Sequence, residues 1–404
     1  MITSGRSLII ILLLLFGGCG STERQKAETD GSGPDSVPYG QRPIQINLPE
    51  KGSDRLNASL FADSVRYIPL ETKPESILKR VWRVQMNDSV ILVSDLQKLI
   101  LFKRDGTFIR QIGTRGKGPG EYMYIFDFRL KNDTIYLTSS GKRSVIRYTL
   151  DGKFQGEQEV GVQLVNFQFT PEGNIAWYDH LKGKVFYFNP NLERTDTLDL
   201  EPNRISSGGI QYTLIDGFDT YFQEAPSGLL LNTYVSDTIW DIGTAKKKAK
   251  YILNLKDLLL PGNEQYEFSD GNFGKFKKRV ARYQKVNLQV TGSKIFIFQK
   301  SWVEDSLNAI FLYDRVRQDI RKYETAFVYD DITGHLHVSP EHYFHDLLIA
   351  AVNPIDLQEK LKTTPDDIKP EEKASYASWR NRMLKVKEED NPVLVIIKPK
   401  QKKY

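Results

Sequence analysis

Four of the five histidines fall within eleven residues, at His335, His337, His342 and His345. Imidazoles two positions apart on a strand point to one face, because strand side chains alternate with a period of two. Two nitrogens so placed are a geometry that zinc uses. His335 and His337 are therefore the candidate metal ligands, and metal-assisted lysis or hydrolysis is the chemistry they would support. A zinc centre takes three or four protein donors, and no second cluster of Cys, His or Asp accompanies the pair. Ordinary surface or partly buried strand histidines account for the same spacing. No cofactor is expected, and a metal ion only through this pair.

The glycines of Arg110-Gln-Ile-Gly-Thr-Arg-Gly-Lys-Gly-Pro-Gly-Glu-Tyr122 suggest a phosphate loop at first sight. A phosphate loop ends in Gly-Lys-Ser/Thr and opens a helix, so that backbone amides and the helix dipole hold the anion. Here Lys117 is followed by Gly118-Pro119 and then by a strand. The glycines instead let the chain cross between two sheets, Pro119 stiffens the turn, and Glu121 is placed to accept backbone hydrogen bonds. No Gly-x-Ser-x-Gly elbow localises a nucleophilic serine. Carboxylate pairs of the kind used in glycoside hydrolysis are set by spatial separation, which a sequence does not display. Trp177, Trp240, Trp302, Tyr178 and Tyr187 read as packing between sheets, with any exposed subset able to stack on a sugar ring.

The elements that must position these residues are short apolar runs separated by turn signals. Trp82–Met86 turns at Asn87-Asp88 into Val90–Val93, and Phe126–Leu130 turns at Asn132-Asp133 into Ile135–Leu137. Val165–Phe169 turns at Glu172-Gly173 into Ile175–Trp177. Further turns at Ser227-Gly228 and Gly292-Ser293 lead into Leu229–Leu231 and Ile295–Phe298. In the first two units a second hairpin follows, through Asp105-Gly106 and Asp151-Gly152, and Asp-Gly favours the positive φ that a two-residue hairpin turn needs. Two hairpins per unit make a four-stranded sheet, and a repeat of that size is a propeller blade. The reading is an all-β, six-bladed β-propeller with four-stranded antiparallel blades over residues 44–404. Five blades are plain, and a sixth is assembled from residues around 332–352 and the C-terminus. Closure pairs Asn391–Pro399 with either Ile44–Leu48 or Val65–Leu70. Two partly helical insertions, 256–284 and 354–386, interrupt the repeat.

Composition agrees with a sheet-rich chain of 404 residues: 40% hydrophobic, 11% aromatic, with 20 Tyr and 21 Phe. The net charge of +5 is small against 56 basic and 51 acidic residues. No basic stripe with ordered aromatics appears, so nucleic acid is not an expected partner. The single cysteine, Cys19, excludes an intramolecular disulfide. It follows Arg6, an apolar run from Leu8 to Phe16, and small residues in Phe16-Gly-Gly-Cys19. That run is far short of the roughly 20 residues that span a bilayer, so residues 1–18 read as a lipoprotein signal peptide. Cys19 is then the lipid attachment point, and residues 19–43, rich in Ser, Gly and Pro, a flexible tether.

The Gly-Lys-Gly-Pro-Gly-Glu stretch, with Tyr67-Ile-Pro-Leu-Glu-Thr72 and Asp390-Asn-Pro-Val-Leu-Val395, resembles a family of six-bladed β-propeller lipoproteins abundant in Bacteroides-like bacteria, similar in shape to NHL-type propellers. The family has no general assigned reaction. The resemblance implies a cell-envelope protein held by its lipid, at the outer membrane, and facing either the periplasm or the surface. The expected role is a binding or scaffolding module for a glycan, peptide or envelope protein. The alternative is a propeller enzyme, a polysaccharide lyase or hydrolase or a metal-dependent lyase, with its site at the channel mouth.

Overall fold

A computed structural model describes residues 42–161, 166–179, 182–200, 204–207, 210–213, 222–225, 228–233, 236–255, 258, 284–291, 293–301 and 308–400. The alternating runs form antiparallel sheets in sequence order. The first contains Arg83–Met86, Val90–Ser94, Leu99–Lys103 and Phe108–Ile112. The second holds Ile125–Lys131, Thr134–Ser139, Ser144–Thr149 and Phe154–Glu159, and the third runs from Asn166–Phe169 to Arg194–Asp199. A fourth spans Phe222–Ala225 to Lys248–Asn254, and a fifth spans Gln284–Thr291 to Asp319–Tyr323. The chain is an all-β propeller, its blades mainly four-stranded and antiparallel.

The closing sheet joins the two ends of the domain. Ala62–Pro69 pairs antiparallel with Val393–Pro399, which pairs in turn with Leu347–Val352, and His342–Phe344 completes the four strands. Of the two N-terminal candidates for closure, the 65–70 segment is the one used. Ile44–Asn47 goes elsewhere, adding a fifth strand parallel to Tyr251–Asn254.

The blade count departs from expectation. Among the described residues there are seven sheets of three or more strands, not six. The additional one takes Leu56–Asn57 parallel to Val328–Tyr329, with Leu336–Val338 antiparallel on the other side. Residues 332–338 were expected in the sixth blade. They leave it because Val328–Asp330 offers a nearer edge, and the third strand comes from a segment some 270 positions away in sequence. A pairing so remote leaves no local sequence pattern.

No single centre holds the core. Apolar residues are buried between neighbouring sheets: Ile68, Ile349, Leu394 and Ile396 of the closing sheet pack on Val84, Ile91, Val93, Ile100 and Phe102 of the first. Leu92, Leu99 and Leu101 on the other face of that sheet pack on Phe128, Ile135 and Ile146. Strands buried on both faces read as continuous apolar runs, which is why Val90–Val93 and Leu99–Phe102 do not alternate.

Of the two insertions, 354–386 contains helices α1 (Pro354–Leu361) and α2 (Lys373–Met383). Asn353 Oδ1 caps α1 by accepting from the Ile355 amide at 2.9 Å, and Pro354 fits the first turn. Tyr376, Trp379 and Met383, spaced along one stripe of α2, are buried. The Trp379 ring meets Tyr67 edge-on at 5.0 Å. Most of the 256–284 insertion lies outside the described residues, as do Cys19, the tether to residue 41 and Trp302.

The glycine-rich crossing is structural, as its sequence suggests. Thr114–Arg115 pairs parallel with Glu121–Tyr122, and the Gly118 amide donates to Glu121 Oε2 at 2.8 Å. A Cβ on Gly116 would stand 2.0 Å from that same oxygen, so the loop closes on its carboxylate only with glycine there.

Candidate functional site

The first strand of each unit runs beside the central channel, and five of them repeat an apolar residue followed by a long polar one. The pairs are Val84-Gln85, Phe128-Arg129, Phe167-Gln168, Phe222-Gln223 and Leu288-Gln289. The apolar member is buried between sheets and the polar member lines a cavity at the channel mouth. His342, Tyr343, Phe344 and His345 of the closing sheet line it too, with Trp82, Arg83, Phe222 and Glu224. The cavity is narrow, with about 40 Å³ open to the centre of a water molecule. That is room for about one water.

Its floor is organised by Asp127, which has no exposure to solvent. A register shift in the pairing of Ile125–Lys131 sits beside it, and the period of two then sets Asp127 and Arg129 on one face. Asp127 Oδ1 accepts from Arg129 at 2.5 Å and lies 3.0 Å from Arg83 Nε. The Phe128 amide donates to Oδ1 at 2.9 Å, and the Phe167 amide of the next sheet donates to Oδ2 at 3.0 Å. One carboxylate thus holds two buried guanidinium groups and ties three neighbouring inner strands. Arg129 also stacks over the Phe167 ring, 5.4 Å from its centroid.

A second pair spans the mouth. His345 Nδ1 lies 2.5 Å from Glu224 Oε2, and Gln289 Nε2 donates to the His345 carbonyl at 2.9 Å. The hydrogen bond to Glu224 raises the His345 pKa above its ordinary value, against the opposing effect of burial. Burial pushes Glu224 up, but the His345 hydrogen bond and charge, with Arg129, hold it below the usual carboxylate range. His345 adopts a positive φ of 47°.

The two candidate metal ligands are elsewhere. His335 precedes its strand at φ +51° and is buried, whereas His337 lies on the strand and is exposed. The Tyr329 ring stands next to both imidazoles, with ring centroids 6.2 and 4.8 Å away. His335 Nδ1 is 3.4 Å from Asp367 Oδ1, part of a cluster with Arg55 and Tyr376 that seats the helical insertion on the sheet. Burial, then Lys360 and Arg55, lower the His337 pKa, and a neighbourhood of two cations opposes a third. The described residues contain no group of three or more His, Cys, Asp or Glu with metal-site geometry. His342, like His345, belongs to the channel mouth.

Trp177, Tyr178 and Tyr187 are core residues, as their sequence setting suggests, while Trp240 is partly exposed beneath Lys247. The channel-lining polar residues escaped the sequence reading. Their signal is the apolar-Gln dipeptide in the first strand of four hairpins, visible once those strands are aligned.

Residues 43–398 match a domain of unknown function, DUF4934. No curated protein matches. A crystal structure of a protein from Bacteroides fragilis assigned as exported superposes with a TM-score of 0.62 at 16% identity, covering 89% of this chain and all of that one. A DUF4221 member from Bacteroides vulgatus gives 0.44 at 10% identity over 84% and 98% of the two chains. Virginiamycin B lyase from Staphylococcus aureus gives 0.39 at 10% identity over 64% and 73%. At these identities the first likeness speaks for the fold alone, and the other two are too distant to carry an argument. Among the described residues no helix is long and apolar enough to cross a membrane.

Two outcomes follow from the geometry. Asp127→Asn leaves two buried guanidinium groups facing a neutral amide, and urea unfolding should show a loss of about 3–5 kcal/mol. For His345, whose folded pKa is raised, the stabilisation is complete below an unfolded value of about 6.5 and disappears as pH rises through the folded value. Glu224, with a lowered pKa, contributes above its unfolded value of about 4.3. The side chains are 60% and 41% exposed, so screening keeps the pair near about 0.5 kcal/mol. His345→Ala should cost about that much near pH 5.5 and almost nothing near pH 8.5, measured as the mutant's stability deficit at each pH.

Proposed function

We propose, from the premise that the chain belongs to the DUF4934 domain family, that it is a lipid-anchored cell-envelope binding module whose ligand meets the mouth of the propeller channel. The single observation behind this reading is the convergence of Gln85, Arg129, Gln168, Gln223 and Gln289 from five separate strands on one cavity. Packing alone favours apolar residues at such buried positions, because a buried polar group gains little unless it is paired. Long amides and a guanidinium turned inward from strand after strand are what recognition requires: a few placed donors and acceptors in a concave, aromatic-rimmed site. Trp82, Tyr343 and Phe344 are the partly exposed aromatics of its lining.

The anchor rests on Cys19 and its preceding apolar run. Residues 20–43 then set the domain away from the lipid. Cys19→Ser should release the protein from the membrane fraction and abolish its metabolic labelling with palmitate. Retention of both the label and the membrane association would refute the anchor.

The ligand is a glycan, a peptide or a partner protein, and an array of these compounds probed with the full-length chain in detergent decides the location of the site. Gln85→Ala at the mouth should weaken the strongest array signal at least tenfold. Lys373→Ala, in the groove beside α2, should leave it unchanged, and the reverse pattern would place the site on the insertion. A propeller lyase or hydrolase remains the second reading, carried by the Glu224–His345 pair, in which a carboxylate orients an imidazole as general acid–base chemistry requires. Turnover of a bound glycan that vanishes in His345→Ala would move the assignment there.

A further inference from the structure

The apolar layer between the closing sheet and the first sheet gives way to cations where it ends. On the closing sheet Ile68 and Ile396 pack toward the first sheet, and the period of two sets Arg66 and Lys398 on the same face. Arg66 pairs with Ile396 and Ser64 with Lys398, so the two cations are diagonal neighbours on adjacent strands. Such neighbours stand about 7–8 Å apart, within reach of one another for long side chains. Both are exposed. On the first sheet Ile100 and Phe102 pack toward the closing sheet, and Arg104 comes two positions after Phe102. Its Nη1 donates to Met86 Sδ at 2.7 Å, and Met86 belongs to the same apolar layer. The turn that carries Arg104 is pressed against the closing sheet. A Cβ on Gly106 would stand 2.1 Å from the Pro69 carbonyl oxygen and 3.1 Å from Ile68 Cγ2, and the Glu71 amide donates to the Gly106 carbonyl at 2.9 Å.

Arg104 is half-buried with a poor partner. Met86 Sδ is its one hydrogen-bond acceptor among the described residues, and a thioether is a weak acceptor. No carboxylate among those residues forms an ion pair with Arg104, Arg66 or Lys398. Asp88 favours the Arg104 charge from a distance, whereas Asp105 turns back on its own loop and accepts from the Thr107 amide at 2.9 Å. Burial, then the like charge of Arg66, lower the Arg104 pKa from its ordinary value. The arrangement contrasts with the channel floor, where Arg83 and Arg129 share Asp127. An anion between Arg104 and Arg66 would replace one repulsion with two attractions.

The cations also select among anions. A guanidinium is a planar fork of donors that matches oxyanions, carboxylate and phosphate alike. A phosphoryl group, with three free oxygens and a charge approaching two, can accept from two arginines at once and offset more of the three cations than a carboxylate does. We propose that this groove binds a phosphoryl group, with Arg104 and Arg66 donating to its oxygens and Lys398 flanking them. The site lies along Ala62–Pro69, the strand of the closing sheet farthest from the one that lines the channel mouth, and it does not depend on a ligand there. The phosphoryl group belongs either to a lipid headgroup or to a soluble phosphate ester, and the test separates the two.

Isothermal titration of the full-length protein in uncharged detergent at low ionic strength, where such contacts are least screened, uses inorganic phosphate as the first probe and acetate as the contrasting one. Phosphate should bind with Kd at or below about 1 mM, and acetate at least tenfold more weakly. Arg104→Gln and Arg66→Gln should each weaken phosphate at least tenfold, and Lys246→Gln, an exposed lysine on the fourth sheet, should leave it unchanged. Because Arg104 is half-buried, the exposed Arg66 carries a second readout: without phosphate, Arg66→Gln should hold or raise the Tm, since it removes a like charge. Glycerophosphoglycerol, a deacylated lipid headgroup, and glucose 6-phosphate then identify the source. Tighter binding of the first assigns the site to a headgroup, and tighter binding of the second to a soluble ester. Acetate binding as tightly as phosphate overturns the phosphoryl class. Phosphate binding indifferent to both arginine substitutions overturns the location, and a fall in the phosphate-free Tm of Arg66→Gln overturns the opposition of the two arginines. Absence of heat with phosphate up to about 10 mM, a limit near the weakest useful affinity, contradicts the inference.

Discussion

The Asp127 carboxylate is shut away from water, accepts from Arg129 and two backbone amides, and pairs its charge with Arg83 at 3.0 Å. Its partners come from three consecutive sheets: Arg83 from the first, Arg129 and Phe128 from the second, Phe167 from the third. Two buried guanidinium groups could not stand at the channel without it, since the desolvation of each is repaid only by a close counter-charge with good geometry. Once the carboxylate is in place, Arg129 is aimed and its stacking on Phe167 is fixed. The geometry of the mouth therefore depends on one ion cluster, and its function depends on the amides that the neighbouring strands add around it.

What keeps those strands in a ring is the N-terminal segment of the domain. It runs along the outside of the sheets, pairing at Ile44–Asn47 with the fourth, bridging Ser53 to Tyr323 of the fifth, and pairing at Leu56–Asn57 with Val328–Tyr329. It then enters the closing sheet as Ala62–Pro69. Closure in this way covers strand edges that would otherwise be open to intermolecular pairing. It also joins the first and last parts of the domain through a hydrogen-bonded ladder, so the sheets are not free to splay and the channel keeps its width. The helical insertion is seated on this closure, with Trp379 and Tyr376 of α2 packed near Tyr67, whose hydroxyl donates to Asp330 at 2.7 Å.

Much of the architecture was legible because hairpins are local. Asn132-Asp133 and Asp105-Gly106 announce their turns in a few residues: both Asn132 and Asp133 take positive φ, whereas at Asp105-Gly106 only the glycine does and a register shift beside Phe102 makes the turn a longer, bulged one. Glu121 could likewise be assigned to its loop from the glycines around it. The blade count and the use of Leu336–Val338 could not be read that way, because the third strand of that sheet is supplied by Leu56–Asn57 from the other end of the chain. The candidate site was hidden for a related reason. Histidines crowded into eleven residues attract attention, yet chain reversal between His335 and His345 sends them to two different places, the helix-covered rim and the channel mouth. Gln85, Gln168, Gln223 and Gln289 are each unremarkable where they stand in sequence; they form a site only because equivalent strands are stacked around one axis.

The central claim, that these side chains recognise a ligand at the channel mouth, is met most directly by a crystal structure of the protein grown with the strongest ligand from the array. The account predicts density for that ligand at the mouth, beside Gln85 and its neighbours in the lining. A ligand seated in the groove beside α2, with the mouth holding ordered water alone, would contradict it.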